Sequence, residues 1–284
     1  MLNYRAGDLL LRCLESVFAD TVPFDREVIL VDNASPDDSF EQARARFGDQ
    51  LTHAVRNPRN GGFAYGNNVG IRLSQGEFVC VLNPDTRVRP GSFAALVGAL
   101  RADPQAGFAG PRVFTPEGDD EWSAQRTIPG PFDAAARGIG LTRLWPGHQR
   151  WSRYEAGWLD PTVSQAVEAS TGCCMVARRA MLDEVGLLDE RFFIYCEDVD
   201  WFVRAHAAGW RVRYVADAVV EHQHAYSTSF RRYRSVYDHH ASMIRFYRKH
   251  HAAQYPAPVN WAMYAGVVAR MGLVMANRAA AGTR

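Results

Sequence analysis

The chain has 284 residues, 47% of them hydrophobic, with 32 basic and 31 acidic side chains and a formal net charge of +1. That size suits one large α/β domain or two small ones with a substantial core, and the near-neutral balance gives no electrostatic footprint for nucleic acid. The five cysteines, Cys13, Cys80, Cys173, Cys174 and Cys196, form no C-x-x-C pair and mostly lie in apolar runs, which fits reduced thiols in a cytoplasmic protein and argues against a zinc site.

Met1-Leu2-Asn3-Tyr4 lacks the apolar core of a signal peptide. It meets an amphipathic helix almost at once, over 8–19, with Leu9, Leu10, Cys13, Leu14 and Val17 on one face. A parallel sheet normally opens with a full strand, so the expectation is that part of a first strand is missing here. A βαβ alternation then runs to about Gly110: strand 27–31, helix 39–47 with Ser39 as N-cap, strand 52–55, a turn at Asn60-Gly61-Gly62, helix 63–74, strand 77–82, and helix 92–102 capped by Ser92. From 111 to 162 the sequence is rich in Gly, Pro, Trp and Arg with little periodicity, and reads as an acceptor-side insertion whose Trp122, Arg126, Trp145 and Trp151 could stack on sugar rings or bind phosphate, with lid packing as the alternative. Strand-like composition returns over 166–177, followed by helices 179–185 and 199–208 and strands 210–215 and 218–221. The last third is a basic piece, 233–250, holding the only lysine, Lys249, and an apolar piece, 261–276, interrupted by Arg270. The apolar piece falls short of the roughly 20 apolar residues of a membrane span, which favours lying on a membrane surface or pairing with a second copy.

Three apolar runs end in acidic turns: Val28–Val31 in Asp32, Phe78–Leu82 in Asn83-Pro84-Asp85, and Phe192–Cys196 in Glu197-Asp198-Val199-Asp200. Oxygen ligands at the carboxyl ends of buried strands suit a divalent cation and a phosphate-bearing substrate. Asp32 stands where a carboxylate accepts from a base N–H or a ribose hydroxyl, while Asn33, Asp37 and Asp38 can serve to shape the turn. Asp85 is a candidate metal ligand, with helix capping as the plainer alternative. One or two acids at 197–200 suit a helix dipole, but three exceed that need, and Asp198 is a candidate general base. His222 follows a strand and is a candidate metal ligand, with polar surface as its alternative; His224 is a weaker one.

In order along the chain, V-D-N-A-S at 31–35, N-G-G-F-A-Y-G-N-N at 60–68, L-N-P-D at 82–85, T-G-C-C-M-V-A-R-R at 171–179, L-D-E-R-F-F at 188–193 and E-D-V-D-W at 197–201 together resemble the inverting glycosyltransferases of family 2, in particular their bacterial rhamnosyltransferase-like branch. The resemblance implies an α/β GT-A fold: a Rossmann-like, mostly parallel sheet flanked by helices, with a C-terminal helical extension. The domain would span 1–230, a nucleotide-sugar half at 1–110 and an acceptor half at 111–230, and the extension 231–284. It implies that Asn3, Tyr4, Asp32, Asn60, Asn67, Asn68 and Asn83 surround the nucleotide, that Asp85 is the last acid of a D-x-D whose first acid is here Asn83, and that Glu197 and Asp198 form the catalytic E-D pair. His222, with Ser227 following, would close the metal and diphosphate site. The implied reaction is transfer of a sugar, from dTDP-rhamnose or a UDP-sugar with Mn2+ or Mg2+, to a saccharide or polyprenyl-linked acceptor of the cell envelope, at the inner face of the plasma membrane. Two alternatives are a catalytically impaired scaffold of the same fold and a sugar nucleotidyltransferase; the second would carry a Gly-rich basic loop after its first strand.

Overall fold

The computed structural model describes residues 1–138, 140–145, 147–223 and 233–281. Strands β1 (Leu2–Asn3), β2 (Ile29–Asp32) and β3 (His53–Arg56) form a parallel sheet, connected by helices α1 (Asp8–Ala19) and α2 (Ser39–Phe47). Every residue of β2 is buried, as expected of a parallel strand covered on both faces. Helix α3 (Phe63–Leu73) packs on β2. The second sheet is built from β4 (Phe78–Leu82), β5 (Thr86–Val88), β6 (Ala106–Phe114), β7 (Gln165–Val167), β8 (Cys174–Arg178) and β9 (Arg211–His222), in the order β4-β8-β6-β9-β5 with β7 on β9.

Parallel pairing in this second sheet is confined to β6 and β9; the pairs β4/β8, β6/β8, β5/β9 and β7/β9 are antiparallel. The architecture is thus mixed rather than mostly parallel. Strand composition reports burial, not direction, and the chain returning from residues 115–173 re-enters the sheet against β4 and β6. Pro111 does not start an irregular segment but lies inside β6, at a register shift where β9 advances from Val215 to Val219. A bulge is where a strand tolerates a residue with no N–H to donate. The two expected strands 210–215 and 218–221 are one strand, β9, bent at that bulge.

Helix α4 (Ser92–Ala102) packs on β6 and β9. Neither Ser39 nor Ser92 caps its helix. The Ser39 hydroxyl donates to Asp37 Oδ1 at 2.7 Å, and that of Ser92 donates to the Val219 carbonyl at 2.8 Å, stitching α4 to β9. The stretch 111–162, read as an aperiodic insertion, contains α5 (Pro131–Gly138) and α6 (Leu141–Leu144). After β8 come α7 (Arg179–Val185) and α8 (Glu197–Ala207), which packs Trp201 and Phe202 edge-on to Phe108 with ring centroids 5.1 and 4.9 Å apart. Helix α9 (Arg234–His250) follows, then α10 (Ala257–Ala281), longer at both ends than the apolar pattern suggested.

The first strand, β1, has two residues. Before it, the Met1 ammonium donates to the Ile29 carbonyl at 2.9 Å, and burial depresses its pKa. Beyond β1, β2 and β4 face each other across a cavity of about 490 Å³ lined by Ile29, Val31, Phe78 and Cys80.

Candidate functional site

A second cavity, of about 460 Å³, opens where β1, β4 and β9 end and α8 begins. Its lining includes Tyr4, Asn60, Asn83, Asp85, Glu197, Asp198 and His222, so seven of the residues expected from the sequence converge on one space.

On one wall, Asp85 follows β4 and His222 ends β9, which pairs with β5 in the register Thr86 to His222. His222 Nε2 lies 3.3 Å from Asp85 Oδ1, and its Nδ1 lies 3.4 Å from Glu121 Oε2. Burial alone would lower the His222 pKa, but hydrogen bonding to and the charges of Asp85 and Glu121 outweigh it and raise the pKa to about 9. The His222 imidazole aside, Asp85 Oδ1 is buried with no hydrogen-bond donor among the described residues. A carboxylate oxygen of this kind beside an imidazole nitrogen fits two ligands of a divalent cation. No cluster of three or more acidic, His or Cys side chains suited to a metal occurs among the described residues, so water and substrate oxygens would complete a coordination shell. His224 and Ser227 lie outside the described residues.

On the opposite wall, α8 starts at Glu197 after two consecutive residues in the left-handed region, Tyr195 (φ 70°) and Cys196 (φ 66°). Non-glycine residues held there cost roughly 1–3 kcal/mol each, and such strain gathers at functional sites. Glu197 is buried, its Oε2 has no hydrogen-bond partner among the described residues, and burial holds its pKa far above the usual carboxylate range. Asp198 is partly exposed to the cavity. Its Oδ1 accepts from the Val199 N–H at 2.8 Å, and its Oδ2 accepts from Arg126 Nη2 at 2.5 Å. Asp200 points elsewhere, into an ion cluster with Arg204, Lys249 and His250.

The third wall is the turn before α3. Asn33, read from the sequence only as a turn former, lines the cavity and donates to Asn60 Oδ1 and to the Gly62 carbonyl, both at 3.0 Å. Gly62 adopts φ 95°, and a Cβ there would stand 2.4 Å from the Phe193 carbonyl oxygen. Glycine is therefore what lets this turn close on the segment leading into Glu197, sealed by a 2.7 Å bond from the Phe63 N–H to that same oxygen.

Four expected residues do not reach this cavity. Asn3 is buried and donates to Asp32 Oδ1 and Ser39 Oγ. Asp32 is wholly buried, accepting from the Ser35 N–H and paired with Arg56 at 3.1 Å, so it braces the acidic turn. Asn67 donates to the Phe63 carbonyl one turn back, and Asn68 bonds both backbone groups of Leu188 and the Glu190 carboxylate. On a helix that enters at Phe63, positions 67 and 68 fall on the faces turned to the core and to the 187–190 loop. Conversely, Glu121, Trp122, Arg126 and Tyr154 from the aperiodic stretch line the cavity, as do His239 and Phe246 of α9. The C-terminal segment is thereby part of the site wall: Phe246 packs with Phe192 and Val199, and Ser242 Oγ donates to the Ile194 carbonyl at 2.9 Å.

Comparison with known proteins gives a consistent result. A family model described as glycosyl transferase family 2 matches residues 1–186. An N-acetylglucosaminyl-diphospho-decaprenol L-rhamnosyltransferase of Mycobacterium tuberculosis is 31% identical over 261 residues, covering 87% of this chain and 83% of that one. Among solved structures, the mannosyltransferase PcManGT from Pyrobaculum calidifontis, in complex with GDP-Man and Mn2+, superposes with a TM-score of 0.56 at 18% identity, covering 100% of this chain and 79% of that one. GalNAc-T7 with UDP, GalNAc and Mn2+ gives a TM-score of 0.57 at 18% identity, covering 78% of this chain and 43% of that one.

Proposed function

The chain belongs to glycosyl transferase family 2, and from that premise we propose that it moves a sugar from a nucleoside diphosphate, with inversion, onto a lipid-linked saccharide of the cell envelope. The observation that carries this reading is the opposition, across one cavity, of the Asp85/His222 pair and the Asp198 carboxylate. The first is suited to a cation on a diphosphate, the second to a hydroxyl that must lose a proton. Rhamnose from dTDP-rhamnose is the favoured donor, because the mycobacterial relative is named an L-rhamnosyltransferase; a UDP-sugar is the alternative. The nucleotide lies along Tyr4, Asn33, Asn60 and Asn83, with Asn3 and Asp32 bracing the turn behind it.

Asp85 and His222 would hold Mn2+ or Mg2+, which when bound neutralises the charge developing on the departing diphosphate. Asp198 takes the proton of the acceptor hydroxyl as its oxygen attacks the anomeric carbon from the face opposite the leaving group. Glu197 is buried beside that carboxylate, and burial raises its pKa. Phe193, Tyr195, Phe246 and the Arg126/Tyr154 side surround the acceptor and limit water at the reacting centre.

The acceptor is membrane-bound in this reading, and α10 is the contact. By length and composition Ala257–Ala280 is the one helix among the described residues able to cross a membrane, and none of it is buried. Its outward face is apolar, with Trp261 71%, Val268 51% and Leu273 67% exposed and Ala262, Ala265, Ala269, Gly272 and Ala276 between them. Its cations turn back: Arg270 contacts His240 and Arg278 contacts Ser235 on α9. Such a helix lies with its apolar face in the lipid interface.

The test is a transfer assay with dTDP-rhamnose and UDP-sugars on polyprenyl-diphospho-N-acetylglucosamine in Mn2+. Product from one donor, reduced at least about 10²-fold by Asp198→Asn, is expected. No transfer from any donor by folded, nucleotide-binding protein would favour the scaffold reading.

A further inference from the structure

We propose that Arg126 is a positioning residue for the base: its guanidinium fixes the Asp198 carboxylate in place and aims it into the cavity. This rests on the assignment of Asp198 as the base.

Arg126 lies in a segment whose sequence shows no periodicity. Yet its backbone forms an antiparallel bridge to Ala169, with N–H to carbonyl bonds of 3.0 and 2.9 Å. The bridge delivers the side chain to the foot of α8, where it is 8% exposed. There every donor nitrogen is engaged. Nε and Nη2 donate to the Ser170 carbonyl at 3.1 and 2.6 Å, Nη1 donates to the Tyr154 hydroxyl at 3.0 Å, and Nη2 also donates to Asp198 Oδ2. A guanidinium held by two partners other than the carboxylate, the Ser170 carbonyl and the Tyr154 hydroxyl, is a fixed reference point, not a mobile counter-ion. Gly172 leaves space for the Asp198 carboxylate: a Cβ there would lie 3.3 Å from Asp198 Oδ2.

The charged and titratable neighbours of Asp198 supply no other such anchor among the described residues. On its own helix stand Glu197 and Asp200, and Cys196 precedes them. Across the cavity are Asp85, Glu121, His222 and His239, and Tyr154 lies beyond Arg126. Arg126 is the only cation bonded to Asp198 among the described residues. A base must lie within hydrogen-bond reach of the proton it takes, so a carboxylate that loses its anchor loses rate.

The experiment is kcat and donor KM for wild type, Arg126→Gln and Arg126→Lys, with Mn2+-dependent nucleotide binding and melting temperature measured alongside. The inference expects kcat of Arg126→Gln to fall about 10-fold or more, with donor KM and nucleotide binding close to wild type. Arg126→Lys keeps the charge but not the fork, so its kcat lies between those of wild type and Arg126→Gln. If Arg126 only ties residues 121–127 to 168–171, Arg126→Gln lowers the melting temperature and leaves kcat of the folded protein unchanged, which overturns the inference. Should Arg126→Gln not fold, Arg126→Lys decides: lower kcat at unchanged donor KM supports the role, and unchanged kcat overturns it. Asp198→Asn separates the two levels. If it keeps full activity, the base assignment itself fails. If it is inactive while Arg126→Gln keeps full kcat, only the inference about Arg126 fails.

Discussion

Gly62→Ala tests whether the turn before α3 sets the position of the wall that carries Glu197 and Asp198, and Gly118→Ala supplies its control. Both glycines sit in the left-handed region, at φ 95° and 92°, but a Cβ at 118 meets nothing within 4 Å while one at 62 meets the Phe193 carbonyl oxygen at 2.4 Å. The conformational penalty is therefore shared, about 1–2 kcal/mol, less about 0.4–1 kcal/mol from the stiffer unfolded chain. Gly118→Ala should cost about 1 kcal/mol. At Gly62 the oxygen must also retreat by about 1 Å to reach ordinary contact, and overpacking of this kind adds about 1–3 kcal/mol. Urea denaturation followed by circular dichroism reads the difference as a lower midpoint at constant slope. The folded fraction of Gly62→Ala should also show reduced kcat, because the displaced carbonyl belongs to the segment that leads into Glu197 and Asp198. Equal midpoints for the two variants, or full kcat in Gly62→Ala, would refute the reasoning.

Three further outcomes are expected. Phe246→Ala removes a ring buried against Phe192 and Val199 and should cost about 3–5 kcal/mol in chemical denaturation; a loss under about 1 kcal/mol would contradict the packing role of α9. The ion cluster under α9 should make stability acid-sensitive. Arg191, then Lys249, holds Asp189 well below the usual carboxylate range, and His250 and Lys249 lower Asp200 against the opposing effect of its burial. Since the folded pKa values lie below the unfolded ones, this stabilisation is present above about pH 4 and is lost as pH falls further. The melting temperature should therefore drop below pH 4, less steeply in Lys249→Met than in wild type; identical slopes would exclude the cluster as the cause. Trp261→Ser with Leu273→Ser should abolish cosedimentation with anionic vesicles while leaving nucleotide binding unchanged, and retained cosedimentation would remove α10 as the membrane contact.

The sequence made the strand-end chemistry legible because each acid follows an apolar run whose end is also the edge of a sheet. Asp85, Asp198 and His222 were found that way and meet at one cavity. What it did not carry was direction and facing. Asn67 and Asn68 belong to a motif that looks continuous, yet helical geometry turns both away from the cavity. Asp32 and Asn3 stand at strand ends as expected, but hydrogen bonds to each other and to Ser35 and Ser39 turn them inward. Glu121 gave no signal and Arg126 stood out only by residue type, because what brings them in is a single backbone bridge to Ala169 and a bulged strand containing a proline, neither of which has a period. The left-handed pair Tyr195-Cys196 was equally silent, since neither residue type announces a positive φ.

The central claim is that one cavity joins a cation-assisted nucleotide site to a base. Calorimetric titration of the folded protein with dTDP and with UDP, each with and without Mn2+, on wild type and Asp85→Asn, tests it most directly. The account predicts that one nucleotide binds only with the metal and that Asp85→Asn abolishes that binding. Binding that ignores the metal, or that survives Asp85→Asn unchanged, would contradict it.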